Sequence, residues 1–91
     1  MINYDDNTII KAIQQFGANK QSLVAVEEMS ELQKEILKNV NRSENNRDQI
    51  KEELVDVLIM LKQLTLIYGF QQWELDKIAG EKIERLKGYL K

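Results

Sequence analysis

Chemistry in this 91-residue chain falls to its carboxylates, and two pairs stand out by their spacing. Glu28 and Glu31 are three residues apart, and so are Glu53 and Asp56. Positions i and i+3 share a helix face, with Cβ atoms roughly 5–6 Å apart. Each pair therefore repels itself unless a cation or solvent comes between. Glu81 and Glu84 show the same spacing, but in a segment rich in lysine and arginine, where a solvated face accounts for it. With 15 acidic residues, such a pair also arises by chance.

Environment and register set the first two pairs apart. Asp56 stands between Val55 and Val57, with Ile59 and Met60 one turn further on, in the most apolar segment of the chain. A buried, unpaired carboxylate there is forced to protonate or to find a partner, so Asp56 is expected to be buried and to need a cation or a dedicated hydrogen-bond partner. In an antiparallel helical hairpin, residues at one level share a constant sum of residue numbers. Glu28 with Asp56 and Glu31 with Glu53 give the same sum, which places the turn near Arg42. The four carboxylates should then converge at one height.

Composition narrows what such a cluster can hold. The chain has no histidine and no cysteine, which excludes imidazole and thiolate metal sites, Ser-His-Asp triads and disulfides. The remaining cations are hard ones bound by oxygen: magnesium, manganese or calcium. Magnesium keeps some of its water and completes its octahedron with phosphate oxygens, so the implied chemistry is metal-assisted attack of water on a phosphoryl group. Carboxylates not saturated by metal are free to take the water's proton. Glu35, one turn past Glu31, is a candidate outer-shell group. Glu27 and Glu52 point about 100° away from their neighbours in the pairs and read as surface groups.

The elements that must position these residues are helices. Apolar residues recur with a 3.6-residue period in four segments, residues 6–16, 20 or 22 to 40, up to 68, and 72–90. Gly17 and Gly69 punctuate them, residues 41–46 read as a polar loop, and Asn45 or Asn46 is the expected N-cap of the third. Four helices with short connections predict an all-α four-helix bundle in one domain, residues 1–91. The third helix is apolar nearly all round between residues 54 and 67, the mark of a buried helix. Three short partners can hardly cover it, so a homodimer or homotetramer is expected. That segment is too short, and too interrupted by Asp56, Lys62 and Gln63, to span a bilayer. No signal peptide is visible at residues 1–6, so the chain is expected in the cytoplasm. Net charge is −2 with no basic block, which argues against nucleic-acid binding.

At these residues the chain resembles the all-α nucleotide pyrophosphohydrolase superfamily, the MazG-like group. The pattern is Glu27-Glu28-Met29-Ser30-Glu31, a spacer, then Glu53-Leu54-Val55-Asp56. The phrases VEEMSELQKEI and EELVDVLIMLKQL, with Phe16-Gly17 and Gln21 ahead of them, look like the short single-domain versions of phages and bacteria. The resemblance implies magnesium-dependent hydrolysis of a nucleoside or deoxynucleoside triphosphate to the monophosphate and pyrophosphate. It implies Glu28, Glu31, Glu53 and Asp56 as ligands of Mg2+, with Mn2+ as a substitute, and a dimer or tetramer built by packing helix pairs together. Lys82 and Arg85 match in type the late basic residues that hold phosphates, or else form an ordinary basic surface at a helix C-terminus. Trp73, Phe16 and Tyr4 could stack on a base and Gln21 could bond its edge, although aromatics in a small bundle are more often core. Two other readings stay open: a phosphoribosyl-ATP pyrophosphohydrolase-like enzyme, and a helical interaction module that keeps the fold without the activity.

Overall fold

A computed structural model describes residues 5–90, and among them four helices and no strand. α1 spans Asp6–Phe16, α2 Ala18–Arg42, α3 Arg47–Tyr68 and α4 Gln72–Tyr89. None is long and apolar enough to cross a membrane. The all-helical expectation is met, and the periodicity placed α1 and the end of α3 where they fall. α2 is longer than expected at both ends, so the loop shrinks to residues 43–46.

Local chemistry accounts for the boundaries. Asp5 caps α1, its Oδ1 accepting from the Thr8 backbone N–H (3.3 Å) and its Oδ2 from the Thr8 hydroxyl (2.8 Å). These bonds hold the Asp5 carboxyl below its usual range. α1 ends at Gly17, whose φ of 93° lets the chain turn straight into α2. α3 ends at Gly69 in the left-handed region, where the Gly69 and Phe70 N–H groups donate to the Leu66 and Thr65 carbonyls. Gln71 and Glu74 open α4 with a reciprocal capping box.

Packing divides the helices unequally. α2 and α3 form an antiparallel hairpin that makes most of the tertiary contact, and α1 lies across both. Ala25, Val57 and Met60 are buried between them, joined by Ile9 from α1. Ala25 is 1% exposed, and its small side chain lets the α2 and α3 backbones approach. α4 is different. Its backbone nowhere comes within 8 Å of the other three helices, and it contains no buried residue. The molecule accordingly has a radius of gyration of 15.8 Å, against about 12 Å for a compact chain of this length. Within one chain the expected four-helix bundle is thus a packed trio with a fourth helix standing apart.

Two further expectations need correction. Asp56 is exposed rather than buried, because α3 turns Val57 and Met60 into the hairpin, leaves Leu54 and Val55 on its outer side, and sets Asp56 at the open edge beside Glu28. An apolar sequence all round a helix does not say which side its own chain covers. Trp73 is not core either: it lies on α4 and is 67% exposed.

Candidate metal centre

The hairpin brings three of the four carboxylates together. Oxygens of Glu28, Glu53 and Asp56 lie within 4.8 Å of one another, a spacing that one cation can bridge. Glu28 and Glu53 are half-buried and Asp56 is exposed. Two helices thus supply carboxylates at one level, as the register predicted for Glu28 and Asp56, but Glu53 meets Glu28 and not Glu31.

Glu53 is the strained member. Burial pushes its carboxyl above the ordinary value, and a hydrogen bond with Glu28 adds to the shift. The charges of Glu28, Asp56 and Glu31 raise it further. Its Oε2 is buried without a hydrogen-bond partner. A buried oxygen left unpaired costs free energy that a cation at this point would recover. Burial therefore singles out Glu53, and not Asp56, as the carboxylate most in need of a partner.

Glu31 stays outside the cluster. It is exposed, with its Oε1 3.7 Å from Lys34 Nζ, close enough for its charge to reach Glu53 but not placed as a ligand. Glu35 is engaged elsewhere, its Oε2 accepting from Asn46 Nδ2 at 2.7 Å. That bond holds the Glu35 carboxyl below its usual range against the opposing effect of burial, with Lys38 and Lys34 assisting. Glu27 and Glu52 are exposed, as surface groups should be.

Two clefts flank Asp56. A small one of about 140 Å³ is bounded by Glu28, Asp56, Ile59 and Met60, which is room for a cation and several waters. A shallower one of about 380 Å³ is lined by Lys51, Glu52, Val55 and Asp56. Lys51 is a cation at the site that the sequence reading passed over. The spacing gave no signal for it, since Lys51 stands five residues before Asp56, about 140° round the helix, and its Nζ pairs with Asp48 Oδ1 at 3.8 Å.

The remaining candidates lie elsewhere. Lys82 and Arg85 are exposed on α4, away from the carboxylates of their own chain. Gln21 is buried, its Nε2 donating to Gln63 Oε1 at 2.8 Å. Phe16 is half exposed, with the Lys20 ammonium 5.6 Å from its ring centre. Tyr4 lies outside the described residues.

Compared with family models, curated proteins and solved structures, the chain gives no match.

Proposed function

We propose that the chain is a magnesium-dependent nucleotide pyrophosphohydrolase of the MazG-like type, cleaving a (deoxy)nucleoside triphosphate and water to the monophosphate and pyrophosphate. One observation carries the reading. Glu28, Glu53 and Asp56 converge from two helices while a buried oxygen of Glu53 has no protein partner. Such a set fits a hard divalent cation, and no histidine or cysteine is present to suit a softer one.

Glu28, Glu53 and Asp56 would hold the ion. Magnesium, when bound, draws phosphate oxygens to the site and acidifies water. The protein's own part is to fix three carboxylates on rigid helices and to keep Glu53 out of solvent. Glu31, outside the cluster, would be one carboxylate left to accept the proton of the attacking water. Lys51, beside Asp56, offers positive charge to the phosphates.

The assembly we propose is a homodimer or homotetramer. Ile78, Ile83, Leu86 and Tyr89 on α4 and Leu54 and Leu61 on α3 are exposed within one chain, and apolar surface of that extent is normally covered. Association would also give Lys82, Arg85 and Trp73 a site to serve. The same surface favours a second reading, an interaction module without activity.

The test is to incubate the protein with magnesium and a panel of NTPs and dNTPs and to measure pyrophosphate against phosphate. Pyrophosphate release that Asp56→Asn abolishes supports the enzyme. No turnover, with no magnesium shift in melting temperature, leaves the interaction module.

A further inference from the structure

Polar residues at seven-residue steps run through the apolar seam between α2 and α3. They are Gln21, Glu28 and Glu35 on α2, and on α3 Asn46 with Glu53 and Asp56 with Gln63. Seven residues are close to two helical turns, so each set lies along one face. The carboxylate cluster occupies the middle of the seam, and a buried amide contact closes each end about two turns away.

At one end Gln21 Nε2 donates to Gln63 Oε1 (2.8 Å), and Gln63 Nε2 reaches Met60 Sδ (3.5 Å). At the other, Asn46 Nδ2 donates to both the backbone carbonyl (2.8 Å) and Oε2 (2.7 Å) of Glu35, and Asn46 Oδ1 accepts from Asn39 Nδ2 (3.2 Å). Gln21, Gln63 and Asn46 are the buried polar residues among those described, each 7% exposed or less. Asn46 is the N-cap of α3, yet its side chain does not cap that helix. It is turned onto α2 instead.

Apolar side chains along a seam tolerate more than one alignment, whereas a buried amide does not. Sliding α3 by one residue turns each of its side chains by about 100° and strands the amides unpaired. A few polar residues in an apolar seam fix helix register in this way. The cluster needs such help, since its carboxylates repel before metal arrives. We propose that the Gln21–Gln63 and Glu35–Asn46 contacts are positioning locks that set the register of α3 on α2 and so hold Glu53 and Asp56 opposite Glu28. The proposal rests on the metal reading of that cluster.

Replacing both glutamines by leucine separates positioning from stability, because exchanging both partners of a buried bond for apolar groups is nearly neutral for folding. Gln21→Leu/Gln63→Leu and Asn46→Ala are compared with wild type and with Ile9→Ala, which weakens α1 packing and leaves both locks intact. Mn2+ binding is read by the loss of free-ion signal in electron paramagnetic resonance. Separately, the chain's lack of cysteine allows nitroxides at the exposed positions Gln33→Cys and Asp48→Cys, diluted with unlabelled chain, to report distances across the hairpin. The expected result is Mn2+ affinity weakened about fivefold or more in both lock variants and a broadened label distance. The Leu pair should melt near wild type, and Ile9→Ala should melt lower but bind Mn2+ normally. Wild-type affinity and an unchanged distance distribution in both lock variants overturn the locks while leaving the metal site standing. Failure of wild type to bind Mn2+ overturns the metal reading, and the positioning role with it.

Discussion

The α2–α3 hairpin and α4 are built from similar residues and end in different states. Both carry an apolar stripe, paired acids three apart and interspersed lysines. In the hairpin the stripe is buried around Ala25, Val57 and Met60, and the acids are drawn into mutual contact. On α4 the stripe faces outward, and Glu84 meets only its neighbour Lys87, at 2.8 Å on the surface. Spacing alone therefore does not make a site. A second helix at the same level, and partial burial, turn two repelling carboxylates into a group that asks for a cation.

The largest test of that contrast is Glu53→Gln. Pyrophosphate release should fall about a thousandfold, since several kcal/mol of transition-state stabilisation rest on the metal. The metal-free protein should melt higher than wild type in EDTA, because a half-buried charge has gone. Next is packing. Ala25→Leu should cost about 1–3 kcal/mol by overpacking the point where α2 and α3 meet. Ile83→Ala on α4 should cost under about 0.5 kcal/mol in dilute solution. Its effect should appear instead as weaker self-association in sedimentation, and equal losses of unfolding free energy in urea would erase the distinction.

A smaller effect is expected from pH. Glu53 titrates above its ordinary 4.5 in the folded protein, so its ionisation opposes folding. That penalty is full above the raised value and disappears as pH falls toward 4.5. Glu35 titrates below 4.5, so its contribution is present above 4.5 and lost as pH falls through the folded value. Metal-free protein should therefore gain stability on mild acidification before losing it in stronger acid. Melting curves from about pH 7 to about pH 3 check this, and Glu53→Gln should remove the gain alone. The smallest effect belongs to the decoy pair: Glu81→Gln/Glu84→Gln should change stability by less than about 0.5 kcal/mol and leave magnesium binding untouched.

Much of the helical framework was legible because hydrophobic period and glycine punctuation are local signals. Gly17 and Gly69 end helices where the pattern breaks, and the equal-sum rule placed Glu28 level with Asp56. The rest depended on which side of each helix is covered. The apolar run around Asp56 suggested burial, but coverage comes from α2 on one side only, so Glu53 took the half-buried place. The detachment of α4 was also out of reach, because three linking residues, 69–71, permit many angles between helices. Gln21 illustrates a signal misread. A glutamine ahead of the motif suggested a ligand contact, when its place in an apolar stripe with Gln63 across the hairpin already pointed to a buried pair.

The seven-residue steps in the seam also bear on handedness. A straight α-helix drifts by about 20° for each such step, so Gln21 and Glu35 would face directions about 40° apart. Gln21 nevertheless meets Gln63 of α3, and Glu35 meets Asn46 at the N-cap of that helix. A sustained seven-residue step is the pattern that left-handed winding of two helices keeps in register. Under the metal reading, a cation shared by Glu28 and Glu53 would tie α2 to α3 at the middle of the seam and resist their separation.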